Sequence, residues 1–256
     1  MTLDALRLAF GTLTVLPAGM PSRVDREVGG RAMTLGPLVG LVIGAIAAGV
    51  VALAHLIRPD ADLLAAVLGV LVVAGVSGGL HLDGLADFAD ALGSRRDRET
   101  MLRIMKQSDI GPFGVVAIVG VLLLDVAALT ACLQAGFGWQ AVLIATTASR
   151  LTLPWSCRTS VPAARPDGLG TIVAGTVGPG TATLATVVVL GAALVLTWPE
   201  PARIAGAAAA VLLAVVTSVL STRRARSALG GSTGDVLGAT VELALPVALL
   251  TLALSM

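Results

Sequence analysis

Seven stretches of the chain are apolar enough and long enough to cross a bilayer. They run approximately over 32–55, 63–82, 110–133, 138–155, 182–198, 202–221 and 236–254, each near the roughly 20 residues a helix needs to traverse hydrocarbon. The polar pieces fall between them, with long connections on one side and connections of a handful of residues on the other. Segment 3–16 is shorter and amphipathic, its apolar positions interrupted by Asp4 and Arg7. It reads as an interfacial or half-inserted helix rather than a cleavable signal peptide, which would begin with a Lys/Arg-rich region. The pattern predicts an all-α fold: a polytopic integral membrane helix bundle of about seven transmembrane helices plus an amphipathic amino-terminal helix, forming one domain over 1–256.

The basic residues give the spans a direction. Arg23, Arg26 and Arg31 lie in loop 17–31; Arg95, Arg96, Arg98, Arg103 and Lys106 in loop 83–109; Arg150, Arg158 and Arg165 in segment 150–181; Arg223, Arg224 and Arg226 in loop 222–235. These alternate loops hold fourteen of the 17 Lys and Arg residues, so the positive-inside rule makes them cytosolic. Trp139 and Trp198 then fall at the outer interface and Trp155 at the inner one. The longer cytosolic loops are where function is expected.

Composition changes the picture only by exclusion. Apolar residues make up 56% of 256 and charged ones 13%, against roughly 45–50% and 25% in soluble domains. The net charge of +1 gives no case for nucleic acid, which needs clustered positive excess. Cys132 and Cys157 are the only thiols; the topology puts them on opposite faces, so no disulfide is expected.

Candidate chemistry begins at the end of the second span, in His81-Leu82-Asp83-Gly84-Leu85-Ala86-Asp87-Phe88-Ala89-Asp90. On a helix, Asp83, Asp87 and Asp90 share an arc of about 60°. Like charges so close cost stability unless a cation or strong donors hold them ionised. Oxygen ligands suit a hard divalent cation, and Mg²⁺ is held by one or two carboxylates plus substrate phosphates. The competing reading is a solvated helix end paired with Arg95, Arg96 and Arg98. His81 falls on the opposite side of the helix and reads as structural or substrate-contacting.

A second acidic stripe opens the last span, Gly230-Gly231-Ser232-Thr233-Gly234-Asp235 through Glu242. Ser232 or Thr233 is placed to cap the helix, and the helix N-terminus with its glycines suits a phosphate. Asp235 and Glu242 are seven apart and share a face, with Glu242 roughly 10 Å deeper along the axis. A carboxylate within a span is functional by default, so Glu242 is expected to meet a metal or a partner from the first acidic helix. Asp125 is another intramembrane acid, with no partner evident from sequence. The expected catalytic and metal-holding set is therefore Asp83, Asp87, Asp90 and Asp235, with Glu242 as a further ligand. Arg95, Lys106, Ser108 and Arg165 are candidate phosphate contacts, with Ser232, Thr233 and His81 as further substrate contacts; for any single Arg, membrane anchoring is the competing reading.

As a set, Gly36-Pro37-Leu38-Val39-Gly40, the His81 to Asp90 stretch, Met105 to Gly114, Arg165 to Gly170 and Gly230 to Glu242 resemble the cobalamin synthase family, the adenosylcobinamide-GDP ribazoletransferases. The five motifs span most of the chain in the expected order. Gln107 and Asp109 depart from the family pattern, which often has an acid and a basic residue there. The resemblance implies a multi-pass bacterial inner-membrane enzyme that needs Mg²⁺, with its active site facing the cytoplasm. It would join α-ribazole, or its 5′-phosphate, to adenosylcobinamide-GDP, releasing GMP and forming adenosylcobalamin or its phosphate. The residues alone support only Mg²⁺-dependent transfer at a diphosphate. Alternatives are a CDP-alcohol-phosphotransferase-like or prenyltransferase-like enzyme, or an ion-coupled transporter using Asp125 and Glu242. The expected partners are the two substrates and the lipid bilayer; the oligomeric state, a homo-oligomer included, is left open.

Overall fold

The computed structural model describes residues 2–256. In chain order the helices are α1 Thr2–Leu13, α2 Arg26–Thr34, α3 Gly36–Ile57, α4 Asp62–Val76, α5 Leu80–Gly93, α6 Arg98–Ile104, α7 Pro112–Gln134, α8 Gly138–Arg150, α9 Thr152–Ser156, α10 Leu169–Val173, α11 Pro179–Thr197, α12 Pro201–Leu229 and α13 Gly234–Leu254. Local sequence sets many of their ends. Proline occupies the first turn of α3, α7, α11 and α12, where its missing N–H costs nothing. Asp25, Asp97 and Thr233 cap α2, α6 and α13 with side-chain oxygens, and α12 stops at Gly230, whose φ of 80° needs no Cβ accommodated.

Five helices, α3, α7, α11, α12 and α13, are long and apolar enough to cross a membrane. The sequence pattern predicts seven, and two of its spans differ in the structure. The second breaks at Ser77–Gly79, where Gly78 and Gly79 take positive φ, and α5 leaves α4 at 86°. Counting that bent pair as one would give six; a turn so sharp carries α5 out of the line of α4 and outside the five spans. The fourth ends at Arg150 after 13 residues, and a separate turn, α9, carries the chain on through Pro154, which has no N–H to continue the ladder. At the amino terminus α1 forms as expected, with Ala5, Leu8, Ala9 and Leu13 buried.

α13 is the most enclosed of the five spans, and α5, α7, α8 and α12 pack around it. Small residues let backbones approach elsewhere: a Cβ added to Gly36 or Gly40 of α3 would come within 2.8 and 2.6 Å of the Arg150 and Thr146 carbonyl oxygens of α8. The lipid-facing sides keep Leu53, Val116, Leu123, Val188 and Leu220 exposed. Both cysteines are buried and free. At one end of the bundle the exit of α5, α6, segment 157–178 and the α12–α13 connection come together, and there the candidate chemistry gathers.

Candidate active site

The first acidic helix meets the second at two glycines. A Cβ at Gly84 would lie 2.7 Å from the Asp235 carbonyl oxygen, and one at Gly238 would lie 3.1 Å from the His81 Cα. α5 thus rests on α13 backbone to backbone, and the carboxylates flanking Gly84 face the start of α13. Asp83 is exposed, while Asp87 and Asp235 are half-buried. Burial, and then the charges of Asp235, Asp83 and Asp90, push the Asp87 carboxyl up to about 7, against a smaller opposing pull from Arg165. Arg165 stands 3.8 Å from Asp235 and donates to the Leu102 carbonyl at 3.1 Å.

Asp90 has a different duty. The N–H groups of Gly111 and Gly114 donate to its two carboxylate oxygens at 2.7 and 3.0 Å, so it satisfies the open first turn of α7. Its charge still reaches Asp87. Glu242 does not join the group at Asp235: it is buried deeper in the bundle, 3.8 Å from His81 Nδ1. Depth along α13 carries Glu242 to other neighbours, His81 of the first acidic helix among them. Among the described residues no three His, Cys, Asp or Glu side chains already form a metal-binding group.

Three cavities line this end. One of about 270 Å³ is bounded by Asp87, Asp90, Ser94, Gln107, Asp109 and Phe113, among others. A second, of about 160 Å³, lies between Arg165 to Gly170 and Ser232 to Asp235. A third, of about 300 Å³, is bounded by Leu102, Arg103, Lys106 and Arg165 to Asp167. Arg165 and Asp167 belong to both of the last two.

The glycine-rich connections form a tied pair rather than two loose loops. The Ser232 N–H donates to the Pro162 carbonyl at 2.8 Å, and the Ala164 N–H donates to the Ser232 carbonyl at 2.9 Å. Arg98 clamps both, donating to the Leu229 and Ala164 carbonyls at 2.7 and 3.0 Å. Ser232 is buried by this arrangement. Thr233 Oγ1 accepts from the Val236 N–H and donates to Asp235 Oδ2, each at 3.2 Å, so it both caps α13 and orients its first carboxylate.

The remaining predicted residues divide. Lys106 pairs with Asp167 at 2.9 Å across the third cavity; both are exposed, so the pair is readily exchanged. Arg95, with a left-handed φ of 52°, and Ser108 are exposed and lie outside the residues bounding these cavities. His81 is only 4% exposed and faces the interior. Arg150, assigned by the charge pattern to a basic loop, is fully buried. A lone arginine with apolar sequence on both sides was the available signal. Arg98, a candidate partner of the acidic helix end in the sequence, bonds instead to backbone carbonyls distant in sequence.

A membrane-spanning helical bundle with an acid-lined, glycine-bordered cleft at one end defines the class: a polytopic membrane protein with an enzyme-like site. Residues 5–253 match the cobalamin-5-phosphate synthase family, and the chain belongs to it. It is 41% identical over 267 residues to the adenosylcobinamide-GDP ribazoletransferase of Frankia casuarinae, covering 100% of this chain and 96% of the relative. The proteins of the same name from Nocardioides sp. and Ectopseudomonas mendocina are each 39% identical, over 96% and 98% of this chain and 97% and 99% of theirs. No solved structure matches. The chain is thus a membrane transferase of cobalamin biosynthesis.

Proposed function

We propose that the protein joins α-ribazole, or its 5′-phosphate, to adenosylcobinamide-GDP at a Mg²⁺-dependent site facing the cytoplasm, releasing GMP. The names of the relatives supply the substrates. The observation that carries the site is the close crossing of α5 and α13 at Gly84, which brings Asp83 and Asp87 against Asp235.

The donor set fits the cation. Asp83, Asp87 and Asp235 offer carboxylate oxygens only, and Asp87 is raised first by burial and then by the neighbouring acids Asp235, Asp83 and Asp90. Mg²⁺ keeps waters and binds through one or two carboxylates with substrate phosphates, so a fully closed protein cage is not required. When bound, it would neutralise the diphosphate and ease departure of the leaving oxygen.

A ribose hydroxyl that is free in both α-ribazole and its 5′-phosphate attacks the cobinamide-bearing phosphorus. The new O–P bond forms as the P–O bond to GMP breaks, and the hydroxyl proton passes to a carboxylate of the cleft or to water. Arg165, between two cavities, is placed to hold a phosphate oxygen, and Lys106 to release Asp167 for the same purpose. Arg98 and the tied loops keep the α13 N-terminus, with its partial positive charge, directed at the cleft. The cytoplasmic orientation rests on the basic residues of the alternate loops, the buried Arg150 excepted.

The test uses purified protein in detergent with both substrates, scored by mass for the joined product and for GMP. Product with Mg²⁺ and none with EDTA is expected. Product that persists unchanged in EDTA overturns the metal assignment, and absence of product under all conditions overturns the reaction.

A further inference from the structure

Away from the cleft, four ionisable side chains meet inside the bundle. Asp125 of α7, Arg150 at the end of α8, Glu242 of α13 and His81 of α5 are each no more than 4% exposed. Arg150 is the one Lys or Arg buried completely among the described residues, and it lies within Coulombic reach of both Asp125 and Glu242. Neither oxygen of Asp125 and neither ring nitrogen of His81 has a hydrogen-bond partner. The guanidinium is therefore the charge that compensates two acids in an apolar interior, where uncompensated charge is most costly.

The same guanidinium also makes a mechanical link. It donates to Ser77 Oγ and to Ser149 Oγ, each at 2.9 Å. Ser77 stands at the corner from which α5 leaves α4, and its hydroxyl donates in turn to the Val73 carbonyl at 2.8 Å. The Arg150 backbone packs closely on α3, since a Cβ at Gly36 would meet its carbonyl oxygen at 2.8 Å. Beyond the corner, His81 sits under Gly238 and 3.8 Å from Glu242, and Asp83 follows two residues later. One buried side chain thus connects α8, the origin of α5 and the charges on α7 and α13.

We propose that Arg150 is a positioning residue for the reaction: it fixes the angle at which α5 leaves its corner and so sets the spacing of Asp83 and Asp87 against Asp235. Its activity readout rests on the function proposed above; its distance readout does not.

The experiment places spin labels at Ala89→Cys on α5 and Leu254→Cys on α13, the native thiols being buried. Inter-label distances and steady-state kinetics are compared for Arg150→Met, Arg150→Lys and Ser77→Ala. Arg150→Met is expected to shift or broaden the distance distribution and to lower kcat about 100-fold, as an ångström-scale misplacement does, while KM for either substrate changes little. Arg150→Lys should recover most of both, and Ser77→Ala should broaden the distribution with a smaller loss of kcat. Parental distances and kcat in Arg150→Met overturn the proposal. If that variant does not fold, parental values for both readouts in Ser77→Ala overturn it. Should the unlabelled protein make no product, the reaction fails, and the distance shift alone decides whether Arg150 positions α5.

Discussion

Asp87 is the residue at which the cleft's electrostatics concentrate. Its carboxyl is raised from 3.8 to about 7, so the folded protein holds a proton there that the unfolded chain releases. The contribution is to stability at low pH, and it fades as pH rises from about 4 through about 7. Thermal unfolding followed without divalent cation should show that loss across this window, and Asp87→Asn should flatten it. Mg²⁺ competes with the same proton, so the Mg²⁺ concentration for half-maximal activity should fall as pH rises toward 7. Asp83→Ala or Asp87→Ala should abolish product formation while leaving a monodisperse helical protein by size exclusion and circular dichroism; activity retained in both variants would refute their assignment. The acids were legible in the sequence because carboxylates beside a membrane are few and share a helical face. Arg150 was not, since a basic residue between two apolar runs looks the same whether it anchors in headgroups or is buried.

Among the elements, the contact between α5 and α13 sets the site. Gly84→Ala gains about 1 kcal/mol of helix propensity, but overpacking costs about 1–3 kcal/mol, and the obstructing atoms are Asp235 backbone that no rotamer change can move. Activity should therefore fall much further than the melting temperature, a split measured by kinetics and thermal unfolding on the same preparation. At the α7 entrance, Asp90→Ala releases two backbone N–H groups and should cost about 1 kcal/mol, read as a lower melting temperature. The helical periodicity of α5 and the cap of α13 could be read from sequence because both depend on neighbours a few residues apart. The right-angled break at Gly78 and Gly79 could not, because apolar residues on both sides continue the pattern of a single span. The tie between 162–164 and 232 depends on backbone atoms distant in sequence and left no mark in composition.

For the whole molecule, the basic residues at one end make orientation testable. A cysteine at Arg95, exposed beside the cleft, should react with a membrane-impermeant maleimide only in inverted vesicles, and one at Arg58, on the opposite connection, only in right-side-out ones; the reverse pattern would turn the cleft outward. The apolar pattern established an all-α membrane bundle but not that its second and fourth stretches are bent or broken, because hydropathy measures partition into hydrocarbon and not whether a helix runs straight. The pairing of Ser232 with Pro162 and Ala164 has a further consequence for biogenesis. Its two segments lie far apart in sequence, so the pocket between them cannot close until the connection before α13 has been synthesised and has met segment 162–164. A nascent chain arrested before Ser232 would carry α3, α7, α11 and α12 but neither Asp235 nor this tie, and would be catalytically silent.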